Sequence, residues 1–76
     1  MAKKDTQSVA PMWDRFALRD ARLRADLLQK EAAAKLGITA QWVSMIEKGH
    51  KTPSNALVAR FAKLYNRNIA DFFIAG

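Results

Sequence analysis

The chain has no cysteine among its 76 residues, only one histidine, two prolines and three glycines, and no apolar run of membrane-spanning length. Each shortage removes a class of function. Without cysteine there are no disulfides, no thiolate metal sites and no thiol nucleophile, which fits a reducing compartment. His50, with no second ligand or nucleophile beside it, makes neither a metal centre nor a catalytic site. No stretch of about 18 apolar residues can cross a bilayer, and no apolar segment follows the basic start as in a signal peptide. A cytoplasmic location is therefore expected. No paired carboxylates fall at a plausible cleft and no Gly-rich loop cradles phosphate, so no enzyme, cofactor or metal is expected.

Positive charge is what the chain has in excess. Thirteen Lys and Arg stand against seven Asp and Glu, a formal charge of +6. On so small a body this favours polyanions, most simply nucleic acid, through counterion release. A membrane-surface role for the basic first helix is opposed by Asp14, Asp20 and Asp26, which interrupt its charge. Half the residues are apolar, enough for one small helical core that a partner subunit would help to stabilise.

The stretch from Gln29 to Glu47 organises the rest. It reads as a short helix ending at Leu36, a turn through Gly37, Ile38 and Thr39, and a helix from Ala40 to about Lys48. Gly37 supplies the left-handed backbone of a helix exit, and the Thr39 hydroxyl can bond the unpaired N–H groups of the next helix. A bare Gly turn between two helices is helix-turn-helix geometry, in which the second helix enters the major groove of DNA.

With Ile38, Val43 and Ile46 facing inward, helical spacing turns Ala40, Gln41, Ser44 and Lys48 outward and sets Met45 at the edge. This is a short-side-chain surface. Gln41 can pair bidentately with adenine, Ala40 offers a methyl to thymine, and Ser44 can donate or accept. Readout this sparse leaves a share of specificity to DNA shape. Trp42 has two readings: along the sugar-phosphate backbone with its indole N–H on a phosphate, or inward over Ala32 and Ala33, the second being preferred because Trp is mostly buried.

Residues 1–10 are polar and aperiodic, a flexible tail. Pro11 suits the first turn of a helix reaching about Ala25, with Leu18, Ala21, Arg22 and Ala25 on one face and Trp13, Phe16, Asp20 and Leu23 on a second stripe. The surplus aromatics Trp13 and Phe16 serve either as a lid over the C-terminal aromatics of the same chain or as a dimer contact. A fourth helix runs from Ser54 to about Tyr65 with an apolar face wider than a monomer needs. Asn66 takes a left-handed closing turn, and Asn68 caps a fifth helix from Ile69 to about Ile74.

From Leu18 to Phe73 the chain resembles the Cro/C1-type (XRE-like) helix-turn-helix domains. The resemblance rests on Arg22, Gln29, Ala33, Leu36-Gly37-Ile38-Thr39, Ile46-Glu47-Lys48-Gly49 and Thr52-Pro53-Ser54, in order and with the right gaps. It implies an all-α, compact five-helix, lambda-repressor-like domain over residues 11–76, and an ion pair between Arg22 and Glu47. By position it implies base reading from Ala40, Gln41, Ser44 and Met45. Phosphate contacts are expected from Arg19, Gln29, Lys30, Thr39, Trp42, Lys48, Lys51 and Ser54. A homodimer is expected through the last two helices, at Leu57, Phe61, Leu64, Phe72 and Phe73. The chain departs from the family at Asp26 (commonly Gly), Leu28 (commonly a Ser or Thr cap), Ala32 (commonly Leu), Trp42 (commonly small and polar) and Arg67 (commonly apolar).

The implied function is a double-stranded DNA-binding transcriptional regulator, a repressor acting on a near-palindromic operator with half-sites about one turn, ~10 bp, apart. It would be nucleoid-associated when bound. The alternative is a protein-interaction module or antitoxin-type autorepressor whose main partner is another protein.

Overall fold

Helical segments follow one another with short connections, in a computed structural model that describes residues 12–74. The expected tail over residues 1–10, and Pro11 with it, lies outside the described residues. The elements in order are β1 (Met12–Trp13), α1 (Arg15–Arg24), α2 (Gln29–Leu36), α3 (Ala40–Glu47), α4 (Asn55–Tyr65), a 3-10 turn (Ile69–Phe72) and β2 (Phe73–Ile74). Among the described residues the fold is all-helical apart from one two-residue antiparallel pairing, with Met12 opposite Ile74 and Trp13 opposite Phe73.

α1 starts later than a Pro11 opening would have it. Asp14 is the cap: its Oδ1 accepts from the Phe16 and Ala17 N–H groups at 3.1 and 3.2 Å, while its own N–H donates to Phe72 O at 2.8 Å. The chain before it is thereby drawn into the pairing with β2, and Trp13 leaves the second helical stripe. Trp13 instead covers the C-terminal aromatics, its ring centroid 6.5 Å from Phe72 and 6.0 Å, edge-on, from Phe73. Phe16 and Leu23 face solvent, 67% and 50% exposed, so only the Trp13 part of the lid exists.

Left-handed residues set the corners. Asp26 (φ 60°), Gly37 (φ 72°) and Asn66 (φ 58°) follow α1, α2 and α4 and turn the chain sharply after each. At the start of α2, leucine at position 28 offers no acceptor, and only half of a capping box survives: the Glu31 carboxylate takes the Leu28 N–H at 2.8 Å.

A fifth α-helix does not form. Asn68 makes no side-chain cap, and its N–H is taken by Asp71 Oδ2 at 3.2 Å, which closes a single 3-10 turn. Phe72 then enters the core and Phe73 pairs with Trp13, and both demands stop the helix.

The core gathers Leu18 of α1, Leu36 of α2, Val43 and Ile46 of α3, Val58 and Phe61 of α4, and Phe72. Each large side chain fully buried there contributes about 1.5–3 kcal/mol. Ala32 and Ala33 are also buried, and their small size lets α2 approach closely. Phe61 and Phe72 are 0% and 1% exposed, which corrects their expected place in a dimer contact: both are spent on the chain's own interior. The wide apolar face of α4 is used in the same way, since Val58, Phe61, Ala62 and Tyr65 are all buried.

Candidate nucleic-acid interface

Thr39 begins α3 with its Oγ1 accepting the Trp42 N–H at 3.0 Å. Val43 and Ile46, both 0% exposed, hold the helix by its inner face. Ala40 and Gln41 stand exposed on the outer face, and Ser44 and Met45 lie half-buried beside them. Trp42 is 38% exposed, with Lys51 Nζ 5.8 Å from its ring centroid.

The chain leaving α3 doubles back. Gly49 (φ 86°) donates to Ile46 O at 3.1 Å, and the His50 and Lys51 N–H groups reach Met45 O at 2.9 and 3.3 Å. These bonds put Lys51 beside Trp42. Ser54 caps α4, its Oγ accepting the Leu57 N–H at 3.1 Å. Arg19, Lys30, Lys48 and Lys51 are all exposed.

Behind the outer face lies a buried polar knot. Arg22 Nε and Nη2 donate to Glu47 Oε2 and Oε1 at 2.8 and 3.1 Å, and Arg22 Nη1 donates to Leu27 O at 2.8 Å. The two side chains are almost wholly removed from solvent. The carboxylate's hydrogen bond raises the Arg22 guanidinium further above its ordinary range, against the opposing effect of burial. Gln29 is half-buried and gives its Nε2 to Glu47 Oε1 at 3.0 Å, so its amide holds the knot as well as standing at the start of α2. One residue of α3 is thus bonded to α1 and to α2, which fixes how α3 sits on the body.

At this end of α3, a cleft of about 270 Å³ is lined by Arg15, Phe16, Arg19, Gln29, Glu47 and Lys48. Three cations gather there, where the phosphate contacts of a bound duplex were expected from Arg19, Gln29 and Lys48. Arg15 was not among the expected residues, yet its Nη1 donates to Glu47 O at 2.9 Å. Nor was Arg60, whose Nη2 donates to Leu36 O at 2.6 Å and closes the end of α2. With the helix read from Pro11, nothing in the sequence marks Arg15; only the later start of α1 sets a cation where a helix begins.

Among the described residues no group of three or more His, Cys, Asp or Glu could hold a metal ion, and no helix is long and apolar enough to cross a membrane. What remains is a helix-turn-helix body with one slim exposed helix and cationic flanks. Comparison with known proteins gives the same class: the helix-turn-helix family matches residues 18–72. The chain belongs to the Cro/C1-type (XRE) helix-turn-helix family. It is 33% identical over 60 residues to an Archaeoglobus fulgidus protein, covering 79% of this chain and 86% of that one. It is 38% identical over 61 residues to a protein of Methanothermobacter thermautotrophicus, covering 79% and 88%. A Methanocaldococcus jannaschii protein is 39% identical over 57 residues, with 75% and 86% covered. Each of the three is described as an uncharacterized HTH-type transcriptional regulator. No solved structure gives a significant match.

Proposed function

We propose that the chain is a sequence-specific double-stranded DNA-binding regulator of transcription, a cytoplasmic repressor acting as a homodimer on a near-palindromic operator. The observation that carries this reading is the exposed Ala40–Gln41 face of α3, anchored from behind by Glu47, with Arg19 and Lys48 in the cleft at its end, Lys51 beside Trp42 and Lys30 exposed on α2. The family membership and the relatives' descriptions support it.

In the complex, α3 lies in the major groove. Gln41 pairs with a base edge, the Ala40 methyl meets a thymine methyl, and Ser44 and Met45 touch the flanking bases. Trp42 lies along the backbone with Lys51 on its face, and Thr39, Gln29 and Ser54 position the duplex through phosphate. Four cations per protomer give a dimer about eight phosphate contacts and a slope of log K against log salt of about −7. Leu57, Leu64 and Phe73 are half-buried, and Ile69 and Ile74 are 40% and 54% exposed; these form the contact between copies.

Selection from a random duplex pool tests the proposal. The expected product is a near-palindrome with half-sites ~10 bp apart, bound with the salt dependence above. A pool that yields no enriched sequence, or binding indifferent to salt, sinks it.

A further inference from the structure

Arg15 opens α1, where local electrostatics disfavour a cation because the unpaired N–H groups there carry partial positive charge. α3 has the complementary shortage: its last turn holds no basic residue, whereas those of α1, α2 and α4 all do. The fold brings the two together. Arg15 Nη1 donates to the Glu47 carbonyl at 2.9 Å, and its guanidinium lies 4.1 Å from the Phe16 ring centroid. A side chain that breaks a local rule and meets a specific partner elsewhere is held there by tertiary structure.

We infer that Arg15 is a positioning residue: a clasp on the C-terminal end of α3 that sets the angle at which this helix meets DNA. The inference rests on α3 being the reading helix. Arg15 and Arg22 are seven residues apart on α1, about 10 Å along its axis, and both hold Glu47, one by its backbone carbonyl and the other by its carboxylate. Three hydrogen bonds from two side chains of one rigid helix to one residue leave α3 little freedom to swing. The clasp also accounts for two other features. A Cβ at Gly49, beyond the strain of φ +86°, would fall 2.8 Å from Arg15 Nε and 2.9 Å from Arg15 Cδ, so a side chain there would push the guanidinium out of the clasp. Phe16, 67% exposed and otherwise unexplained, is the surface on which the guanidinium rests. Because the Gly49, His50 and Lys51 amides fold back on the last turn of α3, the clasp fixes Lys51 as well.

Arg15 lines the same cleft as Arg19 and Lys48, so the test must separate a clasp from a phosphate contact. In the full chain, Arg15→Ala is compared with wild type in two ways: amide hydrogen exchange without DNA, and affinity for the selected duplex across a salt series. The clasp predicts exchange about tenfold faster at Gly49, His50 and Lys51 with the Leu18 and Phe61 amides unchanged. It also predicts affinity about tenfold lower with an unchanged salt slope. Unchanged exchange, unchanged affinity, or a slope reduced by about 0.9 per protomer would overturn it. If Arg15→Ala does not fold, citrulline at position 15 keeps the donor and removes the charge. The clasp then predicts retained protection at residues 49–51, and affinity within about threefold of wild type at an unchanged slope; a drop like that of a lost phosphate contact overturns it. The exchange arm needs no DNA, so a wild-type chain that selects no duplex would fail the functional reading and leave the clasp to be judged by itself.

Discussion

Glu47→Ala strands the Arg22 guanidinium in the protein interior. Arg22 is 7% exposed and would lose both carboxylate bonds, at 2.8 and 3.1 Å, keeping only the Leu27 carbonyl at 2.8 Å. Gln29 would lose its bond to the same carboxylate. Breaking a buried pair from one side costs about 3–5 kcal/mol. A chain of this length has a total stability of about 4–11 kcal/mol. The variant should therefore lose a large share of its stability, and all of it if the wild type lies at the lower end of that range. Urea unfolding followed by far-UV circular dichroism measures the loss; with a slope of about 1 kcal/mol per molar urea, the midpoint falls by about 3–5 M or the transition disappears. Removing both charges together, as Arg22→Met with Glu47→Leu, should return stability to within about 1 kcal/mol of wild type, because no unpaired charge is left inside. DNA affinity should stay low in that double variant, since α3 keeps the Arg15 bond to its backbone but has lost the carboxylate bonds that tie it to Arg22 and Gln29. A loss below about 1 kcal/mol for Glu47→Ala alone would mean that the pair behaves as a solvated surface pair, and would refute the reasoning.

Three further outcomes follow from the same geometry. Gln41→Ala should relax preference at one operator position by roughly 1–3 kcal/mol, whereas Lys51→Ala should weaken all sequences alike and flatten the salt slope; identical effects would collapse the division between reading and positioning. Thr39→Ala removes the acceptor of the Trp42 N–H and should lower stability by about 1 kcal/mol in denaturant titration, an assignment undone by an unchanged midpoint. Burial first, and the Glu47 charge second, push the Tyr65 phenol above its ordinary value of 10.0. The unfolded chain then releases that proton at lower pH than the folded one, so stability is fully present below about pH 10 and falls above it. Tyr65 has no hydrogen-bond partner among the described residues, so Tyr65→Phe should keep neutral-pH stability within about 1 kcal/mol while lessening the alkaline fall; parallel profiles for the two chains would reject this.

Local chemistry was legible in the sequence wherever a single residue decides the backbone. Gly37 and Asn66 are left-handed because little else is comfortable there, and Thr39 and Ser54 cap because their hydroxyls reach the next free N–H groups. The resemblance placed an ion pair at Arg22 and Glu47, and the two side chains meet. Long-range decisions were not legible. The pairing of Met12–Trp13 with Phe73–Ile74 joins opposite ends of the described chain, and two-residue strands carry no periodicity to read. That pairing is why Asp14 rather than Pro11 governs the start of α1. Periodicity marks Phe61 and Phe72 as apolar but cannot say whether a second copy or the chain's own interior covers them; the folded chain buries both. Arg15 escaped notice for the same reason, since its partner is a backbone carbonyl 32 residues away.

In the proposed complex α3 lies in the major groove with Ala40 and Gln41 against base edges. Intermolecular nuclear Overhauser effects, measured on isotopically labelled protein bound to its selected duplex, test this directly. The account predicts contacts from the Ala40 and Met45 methyl groups to thymine methyl and base protons, with amide shift changes at residues 29–30, 39–45 and 48–54. Shift changes gathered on Leu57, Leu64, Ile69 and Ile74, with no contact from α3 to any base, would contradict it.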